Sequence, residues 1–356
     1  MAGKPSAVRY VLGAAPSLVG ALLLALAVPK AAGTRWPAIA AALNRVDAAQ
    51  VLLLCGLWGT ALWAYTFVLS AALPGLSRPR ALMVNCTSSA VSNVLPLGGG
   101  AGVAVTYAMA LRWGHRPRTV TVCIGLTGMC NVATRLVISA VGALLLAHAP
   151  IPGIYWAARA GATLLVLAPA VIVGPLLWRR YRGEVQKENA AAPELSSTPS
   201  SRGRVTRHLG RWLALWRDEW RTVLHRCWPQ LLWGMAATLA AQGLLFMACL
   251  SVAGVRTGLA DTIAVFAASR FLTQIALTPG GIGVTDSAVA VALVHLGGAP
   301  GPVAASVLLF TTFTHLLEIP LGLVTGALWL VLRRRQGPAG ATQPMPQAPP
   351  TSATRP

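Results

Sequence analysis

Long apolar runs alternate with short basic ones along this chain. Runs of the roughly 20 residues that a helix needs to cross a bilayer cover 10–29, 49–73, 119–148, 154–178, 228–252 and 301–332. Two more regions, 81–111 and 261–298, are apolar but interrupted by the glycine clusters LGGGAGV (97–103) and GGIGV (280–284). Glycine costs a helix interior about 1 kcal/mol relative to alanine. The pattern therefore predicts helical hairpins that enter the membrane and turn back near its middle, where irregular backbone survives only inside protein or along a wet cavity. The first limb of the first hairpin is also polar, with Asn85, Thr87, Ser88, Ser89, Ser92 and Asn93.

The two clusters are copies. GGAGV at 99–103 and GGIGV at 280–284 lie 181 residues apart. The same offset carries 49–73 onto 230–254 and 119–148 onto 300–329, close to predicted spans. One unit, span–hairpin–span, thus occurs twice, at about 49–148 and 228–332. Orientation follows from the basic clusters: Arg78 with Arg80, Arg112 with Arg116 and Arg118, the segment 179–226, and Arg333 to Arg335. Placing all of them in the cytoplasm puts both termini inside and gives the two units opposite orientation. The outer loop 30–48, with Lys30, Arg35 and Arg45, is the exception.

The predicted fold class is an all-α polytopic membrane protein. It has about six full spans plus two re-entrant helical hairpins, in an inverted-topology internal repeat of the kind many transporters use. The membrane domain covers 1–332 and is interrupted at 179–227 by a cytoplasmic linker and an interfacial amphipathic helix. That helix sets Leu209, Trp212, Trp216, Trp220 and Leu224 on one face. The Pro-rich tail, 333–356, is expected to be disordered.

Composition agrees. The chain has 356 residues, 55% of them hydrophobic and 11% charged, against about 25% charged in a soluble globule. Its net charge of +20 sits between apolar runs, which suits anionic lipid rather than nucleic acid. The six cysteines form no C-x-x-C pair, so neither a disulfide framework nor a zinc site is indicated. Residues 1–28 have the pattern of a signal peptide, but the spans that follow favour a retained first helix. No hydrolytic, metal or P-loop motif is present, so no enzyme activity, cofactor or metal is expected.

Each glycine cluster precedes a short helix whose N-terminus would lie inside the membrane. Its free N–H groups and positive dipole end favour an anion. Gly99, Gly100 and Gly102 in the first copy, with Gly280, Gly281 and Gly283 in the second, are candidates to receive a phosphate headgroup. Equally, they serve only tight packing of the turn. Ionisable residues at membrane depth are few and by default face a cavity or interior: Arg135, Arg270, Asp286, His315 and Glu318. On one reading the arginines bind lipid phosphate while Asp286, Glu318 or His315 handles a proton or a cationic group. On the other, Arg270–Asp286 and Arg135–Glu318 are structural ion pairs, or Asp286 caps its own helix.

The stretches NVLPLGGGAGVAVTYAMALRWG, GMCNVATRL, TPGGIGVTDSAVAVALVHLGG and FTTFTHLLEIPLG resemble the lysylphosphatidylglycerol synthase transmembrane (flippase-like) family. The likeness is closest to its actinobacterial branch and covers roughly 49–332. In the family's bifunctional members this membrane region is associated with moving aminoacylated phosphatidylglycerol between leaflets, and a separate soluble domain makes the lipid. The chain ends soon after its last span, so the resemblance implies a stand-alone member without the synthase domain, in a bacterial plasma membrane. Many relatives carry Arg and Glu where this chain has Gly100 and Val103. In the second motif only an acid, Asp286, is kept.

The leading expectation is a flippase-like protein that moves or binds an anionic lipid, or a polyprenyl-phosphate-linked molecule, at a midplane cavity. The alternative is a non-transporting partner that recruits or regulates an envelope-synthesis enzyme through its Trp- and Arg-rich helix. An intramembrane transferase lacks a visible nucleophile or acid–base pair.

Overall fold

A computed structural model of the protein describes residues 22, 24–95, 98–146, 201–273 and 282–335. Every regular element among these residues is a helix. In chain order they are α1 (24–32), α2 (Trp36–Leu43), α3 (Ala48–Ala72), α4 (Arg78–Val94), α5 (Gly98–Arg112), α6 (Pro117–Leu146) and α7 (Ser201–Val252). They continue with α8 (Leu259–Leu272), α9 (Val284–His295), α10 (Pro300–Thr311), a π-helical turn (Thr312–Leu316) and α11 (Glu318–Arg335).

Four stretches are long and apolar enough to cross a membrane: Ala48–Ala72, Pro117–Gly142, Arg226–Val252 and Pro300–Arg333. They coincide with four of the six predicted spans. The span expected at 154–178, the linker at 179–200 and the tail after 335 lie outside the described residues, as does most of the span expected at 10–29.

Local chemistry accounts for the boundaries. Asp47 caps α3: its Oδ1 accepts from Gln50 N at 2.7 Å, and Gln50 Oε1 accepts from Asp47 N at 3.2 Å. This reciprocal capping box contributes about 1 kcal/mol. α4 stops at Val94 because the next residue, Leu95, precedes Pro96 and is forced extended (φ −94, ψ 144). The glycines were expected to form the break itself. Instead the break falls just before them, and Gly98 to Gly102 make up the first turns of α5. Amides in a first turn have no partner four residues back, so glycine costs less there than in a helix interior. α5 ends in a Schellman turn, with Gly114 at φ 84 and His115 N–H donating to Ala110 O at 3.2 Å.

Packing between the two halves is reciprocal. α3 lies along α7, where a Cβ on Gly234 would sit 3.2 Å from Val68 N. α4, from the first half, packs on α11 from the second, and α8, from the second half, packs on α6 from the first. A glycine closes each of these joints. A Cβ on Gly142 of α6 would overlap Ala267 and sit 3.2 Å from Ala264 O on α8; one on Gly322 of α11 would overlap Ala90 and Cys86 O on α4. Helices in lipid gain little from hydrophobic association, so small residues that allow close backbone approach carry such joints. The core has two parts, one around Phe246, Phe266 and Phe310, the other around Val68, Leu126 and Leu231.

The Trp- and Arg-rich segment lies on the same continuous helix as the span after it. α7 runs from Ser201 through Val252 with Pro229 inside it.

Candidate functional site

The helices line a cavity of about 990 Å³ between the two halves. α4 contributes a neutral polar wall with Asn85, Ser88, Ser89, Ser92 and Asn93. Gly99, Gly102 and Val103 of α5 adjoin it. α6 brings Asn131, Thr134 and Arg135, α7 brings Thr238 and Gln242, and α8 ends there with Arg270, followed by Thr273. His315 and Glu318 close it from the last span.

Both arginines reach the cavity, and neither forms an ion pair with a carboxylate among the described residues, although Asp286 is near enough to attract Arg270 through space. Arg270 is only 7% exposed. Its guanidinium carbon lies 5.2 Å from the Phe266 ring centroid and 5.3 Å from that of Phe310, and its Nε donates to Ser269 Oγ at 3.3 Å. Aromatic faces attract a desolvated cation and leave most of its N–H donors for other acceptors. Arg135 is half-buried. Its Nε donates to Asn131 Oδ1 at 3.1 Å and its Nη1 to Thr273 Oγ1 at 2.8 Å. The two expected ion pairs are not formed among the described residues. Asp286 is occupied elsewhere, and Glu318 is held by the Asn93 amide and the Ser89 hydroxyl. Asn93 Nδ2 lies 3.4 Å from Glu318 Oε2 and 3.5 Å from His315 O, within donating distance of both.

His315 belongs to the π-helical turn, which is closed by Leu317 N–H donating to Thr312 O at 2.8 Å. Its Nδ1 lies 2.9 Å from Thr314 Oγ1. The 181 offset places this turn opposite Asn131–Arg135, where α6 is an ordinary α-helix. Single π turns inside α-helices recur at functional sites. His315, within this turn, and Glu318, just past it, line the cavity that Arg135 also lines.

Of the residues singled out from sequence, Gly99, Gly102, Arg135, Arg270, His315 and Glu318 line this one cavity. Gly100 is exposed and off the lining. Asp286, 8% exposed, faces its own helix end. Its Oδ2 accepts from Gly283 N–H at 2.8 Å and its Oδ1 from Thr311 Oγ1 at 2.7 Å. Gly283 (φ 87) is the N-cap of α9. Gly280 and Gly281 lie outside the described residues. The glycines of the first cluster differ in what they do. A Cβ on Gly102 would stand 2.9 Å from Ser88 O, whereas one on Gly99 or Gly100 would meet nothing within 4 Å.

Neutral polar residues completed the site unannounced. Asn131, Gln242 and Thr273 line the cavity, whereas the sequence expectation at membrane depth rests on ionisable groups. An amide in an apolar run was the available signal, since hydrocarbon penalises any polar group without a partner.

No curated protein matches the chain. The family model for the lysylphosphatidylglycerol synthase TM region matches residues 11–322. A membrane-spanning helical bundle with a polar cavity between its halves, matched over most of its length, belongs to the lysylphosphatidylglycerol synthase transmembrane-region family.

Proposed function

We propose that the protein binds an anionic lipid, or a polyprenyl-phosphate-linked molecule, in the cavity between its halves and moves it between leaflets of a bacterial plasma membrane. One observation carries this reading. Arg135 and Arg270 face the same cavity, and neither is paired with a carboxylate among the described residues. Two guanidiniums at membrane depth are costly, and a phosphate offers the bidentate charged acceptor they lack. The neutral wall of α4 suits the hydroxyl groups of a headgroup. Family membership supports a lipid-related role without catalysis by this region.

An inverted repeat underlies the movement. α4–α5 and α8–α9 are re-entrant hairpins, and the span–hairpin–span units are related by a two-fold axis in the membrane plane. The exchanged packing, α4 on α11 and α8 on α6, is what such an axis produces. Single cysteines near Arg116 then label from the cytoplasm and those near Ala299 from outside; labelling from one side would sink the inverted arrangement.

Native mass spectrometry of the full chain tests the binding step. The protein should carry an anionic lipid beyond bulk composition, and Arg270→Ala or Arg135→Ala should lose it while remaining folded. Retention of the lipid by both variants would defeat the proposal. A second reading, recruitment of an envelope-synthesis enzyme, is favoured by the continuity of α7 from Ser201 to Val252, which couples the basic segment to the bundle. It predicts that deleting 203–226 is the damaging change.

A further inference from the structure

The cavity wall has one exposed stretch. Among its lining residues, Gly99, Val103 and Gly128 alone are exposed, and every other one is buried or half-buried. Gly99 and Val103 lie one turn apart on α5, Gly128 lies on the neighbouring α6, and Val103 is 46% exposed. Neither glycine is explained by the fold. A Cβ at Gly99 or Gly128 would meet no atom within 4 Å, and neither residue needs a left-handed backbone. At Gly142 and Gly322, in contrast, packing leaves no room for a side chain. Two glycines thus stand bare where no described residue crowds them, on membrane-depth helices, beside the apolar Val103.

From this we infer a lateral portal: Gly99, Val103 and Gly128 frame an opening between the cavity and the lipid. Through it a two-chain or prenyl-chain lipid keeps its tails in the bilayer while its phosphate reaches Arg135 and Arg270. The inference rests on the proposed headgroup cavity and deepens it, because it names the occupant as a molecule with a membrane-resident tail rather than a water-borne phosphate. Bare backbone at the two glycines gives the headgroup its width at the crossing, and Val103 presents an apolar edge to the chains. A water-filled entrance would instead be framed by polar groups.

Two experiments on the full chain in nanodiscs containing phosphatidylglycerol test the portal. With p-benzoylphenylalanine in place of Val103, illumination should give a covalent adduct of lipid mass in intact-protein spectra. No lipid adduct, or cross-linking only within the chain, overturns the portal. Separately, Gly99→Leu and Gly128→Leu should lose the bound lipid yet keep the affinity of the unmodified chain for glycerol phosphate, read by calorimetry. Retention of lipid by both leucine variants, or loss of glycerol phosphate together with the lipid, overturns it as well. Failure of the headgroup cavity itself reads differently: Arg270→Ala would then leave lipid occupancy of the otherwise unmodified chain unchanged.

Discussion

Arg135 on α6 donates a 2.8 Å hydrogen bond to Thr273 Oγ1, just past the end of α8 in the other half of the chain. In the last span, Glu318 Oε2 lies 3.4 Å from Asn93 Nδ2 at the end of α4. In both cases a long helix of one half reaches the C-terminal end of a shorter helix in the other. Both contacts tie an ionisable residue of the cavity lining to the other half of the chain.

Loosening the first joint should free Arg135 without removing it. Thr273→Val deletes two hydrogen bonds, the one accepted from Arg135 and the one donated to Arg270 O, and is expected to cost about 1 kcal/mol of stability for each. Lipid occupancy in native mass spectra should fall by less than in Arg135→Ala. An occupancy as low as that of the alanine variant would show that Thr273 contributes to binding directly.

The close helix joints should tolerate no added volume. Gly142→Val and Gly322→Val force apart α6 from α8 and α11 from α4, and overpacking of this kind costs about 1–3 kcal/mol. Thermal unfolding in detergent should show both variants melting early. Gly128→Ala, which meets open space, should melt like the unmodified chain, and equal melting of all three would contradict the packing described.

Asp286 should act first on stability. Its two oxygens hold Gly283 N–H and Thr311 Oγ1, so Asp286→Ala leaves a buried N–H and a buried hydroxyl without their acceptor, about 1–3 kcal/mol for each. Early melting is expected, and Asp286→Asn, which can still accept from Thr311, should recover part of it. Loss of lipid binding at unchanged melting temperature would instead put Asp286 in the binding machinery.

His115, in the turn between α5 and α6, has its pKa lowered by burial first and by the nearby positive charge of Arg80 second. A depressed histidine pKa means that the unfolded chain takes up the proton more readily. The stability associated with neutral His115 is therefore complete above the unfolded value of about 6.5 and is lost as pH falls through the folded value. Melting temperatures between pH 7.5 and 5 should decline less steeply in His115→Gln. Identical slopes would show that the turn does not discriminate between protonation states.

Much of this was legible in the order of residues. The apolar period and length marked the four membrane-long helices, because hydrocarbon admits only long apolar stretches with internally satisfied backbones. Pro96 and the glycines announced a break, since their backbone effects are local. The ionisable residues within apolar runs were conspicuous because each is costly in lipid.

What each of those residues does was decided by tertiary contacts. Gly99 and Gly102 read alike in sequence, yet one borders an opening and the other admits Ser88 O, a difference that depends on how α4 lies beside α5. Arg270 and Asp286 look like a pair along the chain. In the fold, Thr311 and the start of α9 hold the acid, and the arginine is left between two phenylalanines facing the cavity. Local sequence determines where a helix can start and how apolar it is. Which side chain meets which depends on helices brought together from far apart in the chain, and that decided the site.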